Sequence, residues 1–289
     1  MSMTEEENNR KSLARKAERR AFFSTAGLHV ILTLLSLILF LPFIWMILTS
    51  LKPLVEIGTK DWLPKTPHWG NYLEVFKQIP FARFYWNSIL IASSVTLLQV
   101  FTSSLAAYSF SRLHWPGRDK VFFLYLSTMM VPGLVMIIPN FQIMIQLSLV
   151  NTFLGLVLPA SFNAYGTFLL RQFMLTIPTS LDEAAEIDGA SKWQIFWDVI
   201  MPLSRPGLIA LTIFSFIGQY HSFFWPLVML KSVERYTLPI GLLYFDTTYI
   251  QSTHLLMAAV TMSVIPMIIV FILMQKHLVR GIQLGGVKG

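Results

Sequence analysis

Long uncharged apolar stretches separated by short polar clusters set the rhythm of this chain. From 21 to 51 the only side chain of acidic or basic type is His29, and 84–111 and 121–170 have none. The runs 206–230 and 247–275 are interrupted only by His221 and His254. A helix needs about 20 apolar residues to cross a bilayer, so each run is long enough to cross, and 121–170 could cross twice. Lipid cannot satisfy backbone polar groups, which leaves helices or closed barrels. The runs are continuously apolar rather than alternating, and that excludes a barrel.

The pattern therefore predicts an all-α polytopic membrane protein with six transmembrane helices, near 28–48, 88–110, 121–138, 153–170, 208–229 and 256–274. The long run divides near Pro139-Asn140 and Asn151-Thr152. Nothing suggests a second domain. A basic N-terminal tail (1–20), mobile to about Arg20, precedes one membrane unit (21–289). That unit has a polar loop at 171–205 between spans 4 and 5 and a C-terminal tail at 276–289.

Composition agrees, with 54% hydrophobic and 13% charged residues, against roughly one-quarter charged in soluble domains. Most of the 22 Lys and Arg fall on the N-terminal side of the predicted topology. The opposite side holds only Lys52, Lys60, Lys65, Lys77, Arg83, Lys231 and Arg235. Basic loops stay inside, so both termini are expected in the cytoplasm. The net charge of +7 then reflects topology and contact with anionic membrane lipid, not nucleic-acid binding. The first span is longer than a signal-peptide core and no small-residue cleavage site comes after it, so it reads as a retained anchor. With no cysteine, disulfides, thiol catalysis and thiolate metal sites are excluded, and no metal site is expected.

The polar cluster with the most shape is Leu181-Asp182-Glu183-Ala184-Ala185-Glu186-Ile187-Asp188-Gly189-Ala190-Ser191, which holds four of the 15 acids. Pro178 stops the preceding helix. Ser180 to Glu183 fits a capping box, and Asp182 and Glu183 sit in a first turn, where the helix dipole favours acids. Gly189 is placed to end the helix in a left-handed conformation. Ser191 to Gln194 fits a second capping box, and Trp193, Phe196, Val199 and Ile200 recur at helical spacing. Pro202 and Pro206 close the segment. The reading is a helix, a glycine turn and a helix at the cytoplasmic surface. It is open whether this is an ordinary interfacial pair or a docking element.

The residues resemble the loop of binding-protein-dependent ABC importer permeases. That pattern is Glu-Ala-Ala, three residues, Gly, nine residues, then Ile-x-Leu-Pro. Here it reads Glu183-Ala184-Ala185, Gly189, then Val199-Ile200-Met201-Pro202, with Val and Met as mild departures. The resemblance extends over nearly the whole chain and narrows to carbohydrate importers, to the smaller six-span permease of the maltose type. Ser50-Leu51-Lys52-Pro53, Asn87-Ser88, the stretch from Leu105 to Leu113, Trp115-Pro116-Gly117-Arg118 and the Gly285-Gly286-Val287-Lys288-Gly289 ending carry it.

The resemblance implies a permease subunit of the bacterial inner (plasma) membrane that is not itself an enzyme. Its loop would insert into a groove on a cytoplasmic ATPase. Glu183 would make the charged contact, Ala184 and Ala185 the close packing, and Gly189 the turn, with Asp188 and Pro202 completing the ATPase-coupling set. The implied partners are a second homologous permease in a heterodimer, two copies of the ATPase and an extracytoplasmic solute-binding protein. The chain has no Gly-x-x-x-x-Gly-Lys-Ser/Thr phosphate loop. ATP and Mg would therefore belong to the ATPase, and this chain would bind no cofactor. The C-terminal tail is either a reach between the ATPase subunits or a glycine-rich end.

No Asp, Glu, Lys or Arg lies inside a predicted span, which disfavours an ion-coupled secondary carrier. A six-span intramembrane enzyme is disfavoured as well, because the spans lack paired carboxylates and His221 and His254 are isolated. Polar and aromatic groups at mid-membrane depth suit a sugar path: Asn163, Tyr165, Gln219, Tyr220, His221 and Trp225. The alternative is interhelical glue. Where the family often reads Trp-Asn-Asp/Glu-Phe, this chain has Tyr220-His221-Ser222-Phe223. An acid is replaced by serine, which reads either as tolerance of an anionic saccharide or as drift at a helix contact.

Overall fold

The computed structural model describes the backbone of residues 3–248 and 252–285, and the side chains of 25–246, 248 and 252–275. Among these there are helices and turns but no strand. Helix α1 (Met3–Ser50) begins well inside the segment expected to be a tail, so the backbone there is helical. No residue of its most apolar stretch is buried. A linker over 51–69 leads to α2 (Gly70–Gln78). The linker is fastened where Asn71 Nδ2 donates to the carbonyls of Ser50 at 2.8 Å and Lys52 at 2.9 Å.

Helix α3 (Phe81–Arg112) is a single run of 32 residues without Pro or Gly. It is the central element, in contact with α2 before it and with α4, α6, α7, α11 and α13 after it. Beyond it come α4 (Arg118–Ser127) and α5 (Ile137–Gln146), then α6 (Phe153–Ala160) and α7 (Ala164–Leu175). The polar loop supplies α8 (Ser180–Ile187), α9 (Lys192–Gln194) and α10 (Met201–Leu203), the last two joined by a π-helical stretch, Ile195–Ile200. The chain closes with α11 (Arg205–Tyr220), α12 (Phe224–Met229), α13 (Leu238–Thr248) and α14 (Thr253–Gly285). α14 packs beside α1, α2 and α11. The C-terminal ending from 286 lies outside the described residues.

Fewer spans are continuous than the apolar pattern predicts. Among the described residues three helices are long and apolar enough to cross a membrane, or up to five if each bent pair counts as one span. Continuous helices do not make up the expected six, and in the third and fourth runs proline or glycine stands at the break although hydropathy stays high. The third expected span stops at Ser127, turns through Pro132 and Gly133, and restarts at Ile137. The fourth bends by 43° between α6 and α7, next to Pro159. The fifth breaks after Tyr220 and resumes at Phe224. A 76° bend separates Lys192–Leu203 from α11, so the polar loop turns sharply into that helix.

Three apolar clusters hold the described residues together. One joins α2, α3, α11, α13 and α14 around Phe84, Phe216 and Phe245. A second sits beneath the polar loop, around Tyr108, Met174, Phe196 and Ile200. The third packs α5, α6 and α12 onto α3 around Ile91, Leu156 and Met229. Gly155 marks a tight point of this third cluster, since a Cβ there would collide with the Leu149 carbonyl oxygen and the Met229 methyl. Gly155→Ala should therefore destabilise the fold by about 1–3 kcal/mol, the usual cost of overpacking. A lower melting temperature in detergent would show it, and an unchanged one would show that the crossing has slack.

Candidate functional site

Each turn of the polar loop has a local cause. α8 starts one residue earlier than a Ser180 cap would require. Thr179 stands at the cap position with helical backbone angles and no side-chain cap bond. The backbone itself makes the turn: Leu181 N–H donates to Pro178 O at 3.3 Å and Asp182 N–H to Thr179 O at 2.9 Å. The capping box expected at Ser180 and Glu183 is thus absent, and Glu183 stays exposed.

At the other end Gly189 has φ +82°. The Ala190 N–H donates to Ala185 O at 2.9 Å and the Gly189 N–H to Glu186 O at 3.0 Å. This is the paired closure of a Schellman motif, which needs a left-handed residue there. The second capping box is formed, with Gln194 N–H donating to Ser191 Oγ at 3.3 Å and Ser191 N–H to Gln194 Oε1 at 2.8 Å. Lys192 pairs with Glu186 and ties the two arms together.

The α8 helix presents two faces. Leu181, Glu183, Ala184, Ile187 and Asp188 point outward, and Ile187 is 86% exposed. Asp182 and Ala185 turn inward, Ala185 onto the cluster around Phe196. The two alanines of the motif therefore do different jobs, one supporting the loop and one left open. Pro202 is exposed on α10.

Asp182 faces the last residue of α3. Arg112 Nη1 donates to Asp182 Oδ2 at 3.3 Å, and Arg112 Nη2 donates to Met174 O and, at 2.7 Å, to Ile177 O. The guanidinium thereby adds a donor to carbonyls in the last turn of α7 and just beyond it. Arg171 returns the arrangement, with Nε donating to Phe110 O at 3.1 Å and its guanidinium 4.2 Å from the centre of the Phe122 ring. Tyr108 O–H adds a tie to Lys192 O at 2.9 Å. Burial pushes the Asp182 carboxyl above its ordinary value and outweighs the pull of Arg112 in the other direction. At the exposed end of the cluster, the bond from Arg118 holds Asp119 below the usual carboxylate value.

The expected sugar-path residues do not form one cluster. Gln219 and Trp225 meet at a small cavity of about 10 Å³, also lined by Ser88, Ile91, Leu156, Ser222, Pro226 and Thr237. That is room for about one water. Asn163 instead caps α7, accepting from Gly166 N–H at 3.0 Å, and Tyr165 lies exposed on the first turn of that helix. Tyr220 is buried and its O–H donates to Ser263 O at 3.0 Å on α14, which is a packing role. His221 is exposed at the end of α11.

Sequence reasoning missed Arg112 and Thr237 as members of these sites. Arg112 had a signal, as a lone arginine ending a long apolar run. Thr237 had none, since only the fold brings it to Ser88, which is remote in sequence.

Known proteins share this outline. The family described as "Binding-protein-dependent transport system inner membrane component" matches residues 99–284. The "Arabinooligosaccharides transport system permease protein AraQ" of Halalkalibacterium halodurans is 35% identical over 256 residues, covering 86% of this chain and 91% of that protein. Its namesake in Bacillus subtilis is 33% identical over 269 residues, covering 91% and 95%. Among solved structures, a bacterial ABC transporter involved in the import of the acidic polysaccharide alginate superposes with a TM-score of 0.77 at 26% identity, covering 86% of this chain and 94% of that one.

The electrostatics of Asp182 give a signed prediction. Because its folded value is raised, the ionised carboxylate costs stability above the ordinary aspartate range, and the cost disappears as pH falls and the group is protonated in both states. Asp182→Asn should be at least as stable as the parent at neutral pH, with the difference closing on acidification. Melting curves across pH test this, and a marked loss of stability at neutral pH would refute it.

Proposed function

The chain belongs to the binding-protein-dependent transport system inner membrane components, and on that premise we propose that it carries a sugar or oligosaccharide through the membrane under power from a cytoplasmic ATPase. As a permease it is the non-catalytic, membrane-embedded part of its system. The observation that carries the coupling role is the outward face of α8. Glu183, Ala184 and an almost fully exposed Ile187 project from a helix whose other face is tied down by the Asp182–Arg112 pair and by Ala185 against the cluster around Phe196. An exposed, rigidly mounted helix end with an acid, a small residue and an apolar knob suits insertion into a groove that supplies a basic partner.

On this reading the ATPase, in two copies, binds ATP and Mg. A second related permease completes the path, and a solute-binding protein delivers the cargo from the other side. Both termini and the 171–205 loop then face the cytoplasm, in keeping with the distribution of basic residues. The path runs by the cavity at Gln219, Ser222, Trp225 and Thr237, where hydroxyl and amide groups stand beside an indole ring. Sugars suit such walls, through hydrogen bonds to their hydroxyls and stacking on aromatic faces.

Ser222 stands where the resembled family often carries an acid, and no Asp or Glu lines the cavity. The wall carries no negative charge, so the path accepts an anionic saccharide as well as a neutral one.

Two measurements test these assignments. Glu183→Ala and Gly189→Asp should weaken co-purification of the ATPase about tenfold or more, as loss of an interface anchor does. Full assembly and uptake in both variants would refute the docking role. Ser222→Asp should depress uptake of alginate oligosaccharides more than that of arabinooligosaccharides in the assembled system, and equal effects on both would refute the assigned tolerance.

A further inference from the structure

Helix α3 makes one kind of contact at three levels along its length. Near its start, Asn87 Nδ2 donates to Glu234 O and Tyr236 O, both at 3.0 Å, in the outer linker before α13. At mid-length, Gln99 Nε2 reaches Ala160 O at 2.6 Å, Thr102 Oγ1 reaches Ser161 O at 2.7 Å, and Ser103 Oγ reaches Asn163 O at 3.5 Å. Those three carbonyls lie at the 43° break between α6 and α7. At its end, Tyr108 and Arg112 hold the carbonyls of Lys192, Met174 and Ile177, and Arg112 also holds Asp182.

α3 is also built to be stiff. It has neither Pro nor Gly, whereas α1 contains Pro42 and α14 contains Pro266. Its 32 residues span about 48 Å at 1.5 Å per residue. The joint at its end is held but not saturated. The Arg112 and Asp182 side chains are 4% and 15% exposed, yet Arg112 Nε and Asp182 Oδ1 have no hydrogen-bond partner. The pair therefore keeps a donor and an acceptor unused, capacity that a two-state joint could draw on.

We propose that α3 is the rod that carries displacement of the 180–191 loop to the α6–α7 break and the outer linker, and that Arg112 and Asp182 form its joint. Arg112 is thus a positioning residue: it acts on the path through α3 and not by contact with cargo or ATPase. This deepens the reading of the loop as an ATPase-docking element and rests on it. Lysine could not replace Arg112, because an ammonium lacks the planar fork that reaches two carbonyls and a carboxylate together.

The chain has no cysteine, so spin labels can be placed without removing any from it. In the assembled transporter, labels at Lys65→Cys and Lys231→Cys, both exposed, would report the outer side. The distance between them should change on adding Mg-ATP and vanadate. In Asp182→Asn and Arg112→Lys the ATPase should still co-purify at parental levels while this distance change is lost.

Variants that assemble and keep the full change would overturn the proposal. Variants that fail to assemble would overturn it too, because the pair would then only shape the loop. If the parent chain brings down no ATPase at all, the docking role itself fails, and the rod falls with it.

Discussion

A helix that breaks inside a bilayer releases carbonyl oxygens into a medium with no water to receive them. Each must find a donor or cost several kcal/mol. This chain breaks three of the runs that its hydropathy marks as spans, so it needs donors at definite depths. α3 supplies them at the break between α6 and α7. Its Asn, Tyr and Arg side chains do the same for the linker before α13, the polar loop and the end of α7. Among the described residues α3 shows no such bond at the break after Tyr220 in the fifth run, nor at the turn at Pro132 and Gly133 in the third. That turn is largely exposed, on a side open to lipid or to a partner.

The polar loop obeys the same rule at the membrane edge, where the donors are charged. Arg112 closes α7 and Arg171 closes α3, so each helix caps the other. Cations at helix C-termini are favoured by the macrodipole, and here each also finds an acid, Asp182 or Asp119. One consequence is a division of labour inside α8. Asp182 is committed to the molecule's own architecture, and Glu183, beside it in sequence, faces away. Had Ser180 formed the expected capping box, Glu183 would have been turned back on its own helix. The shift of the cap to Thr179 is what leaves that carboxylate free to meet something else.

Much of the loop was legible because its signals are local. Gly189, the Ser191–Gln194 box and the inward set of Phe196, Val199 and Ile200 depend on neighbours within a few residues, and the fold realises all three. Trp193 shared the same spacing but is exposed, because the π-helical stretch from Ile195 shifts the register of that face. The number of continuous spans was not legible. Hydropathy measures the medium around a segment, whereas continuity depends on Pro132, Gly133 and Pro159 and on whether α3 offers a donor. Nor could composition separate Tyr220 from Gln219. One is locked to Ser263 and the other opens on a cavity, and only the packing of α11 against α14 decides between them.

The cavity's size bears on how such a path can work. About one water fits between Gln219, Ser222 and Trp225, so no sugar resides there in this conformation. The wall nevertheless joins elements with different attachments: Ser88 and Ile91 on α3, Leu156 on α6, Trp225 on α12 and Thr237 in the linker that α3 holds through Asn87. Opening it requires α12 to part from α6, where Trp225 Nε1–H donates to Gly155 O at 3.2 Å. Gly155 is also a tight packing point of that cluster. Separation there would break that hydrogen bond and also uncover Leu156 and Met229, which the third cluster buries, so opening has an apolar cost as well as a polar one.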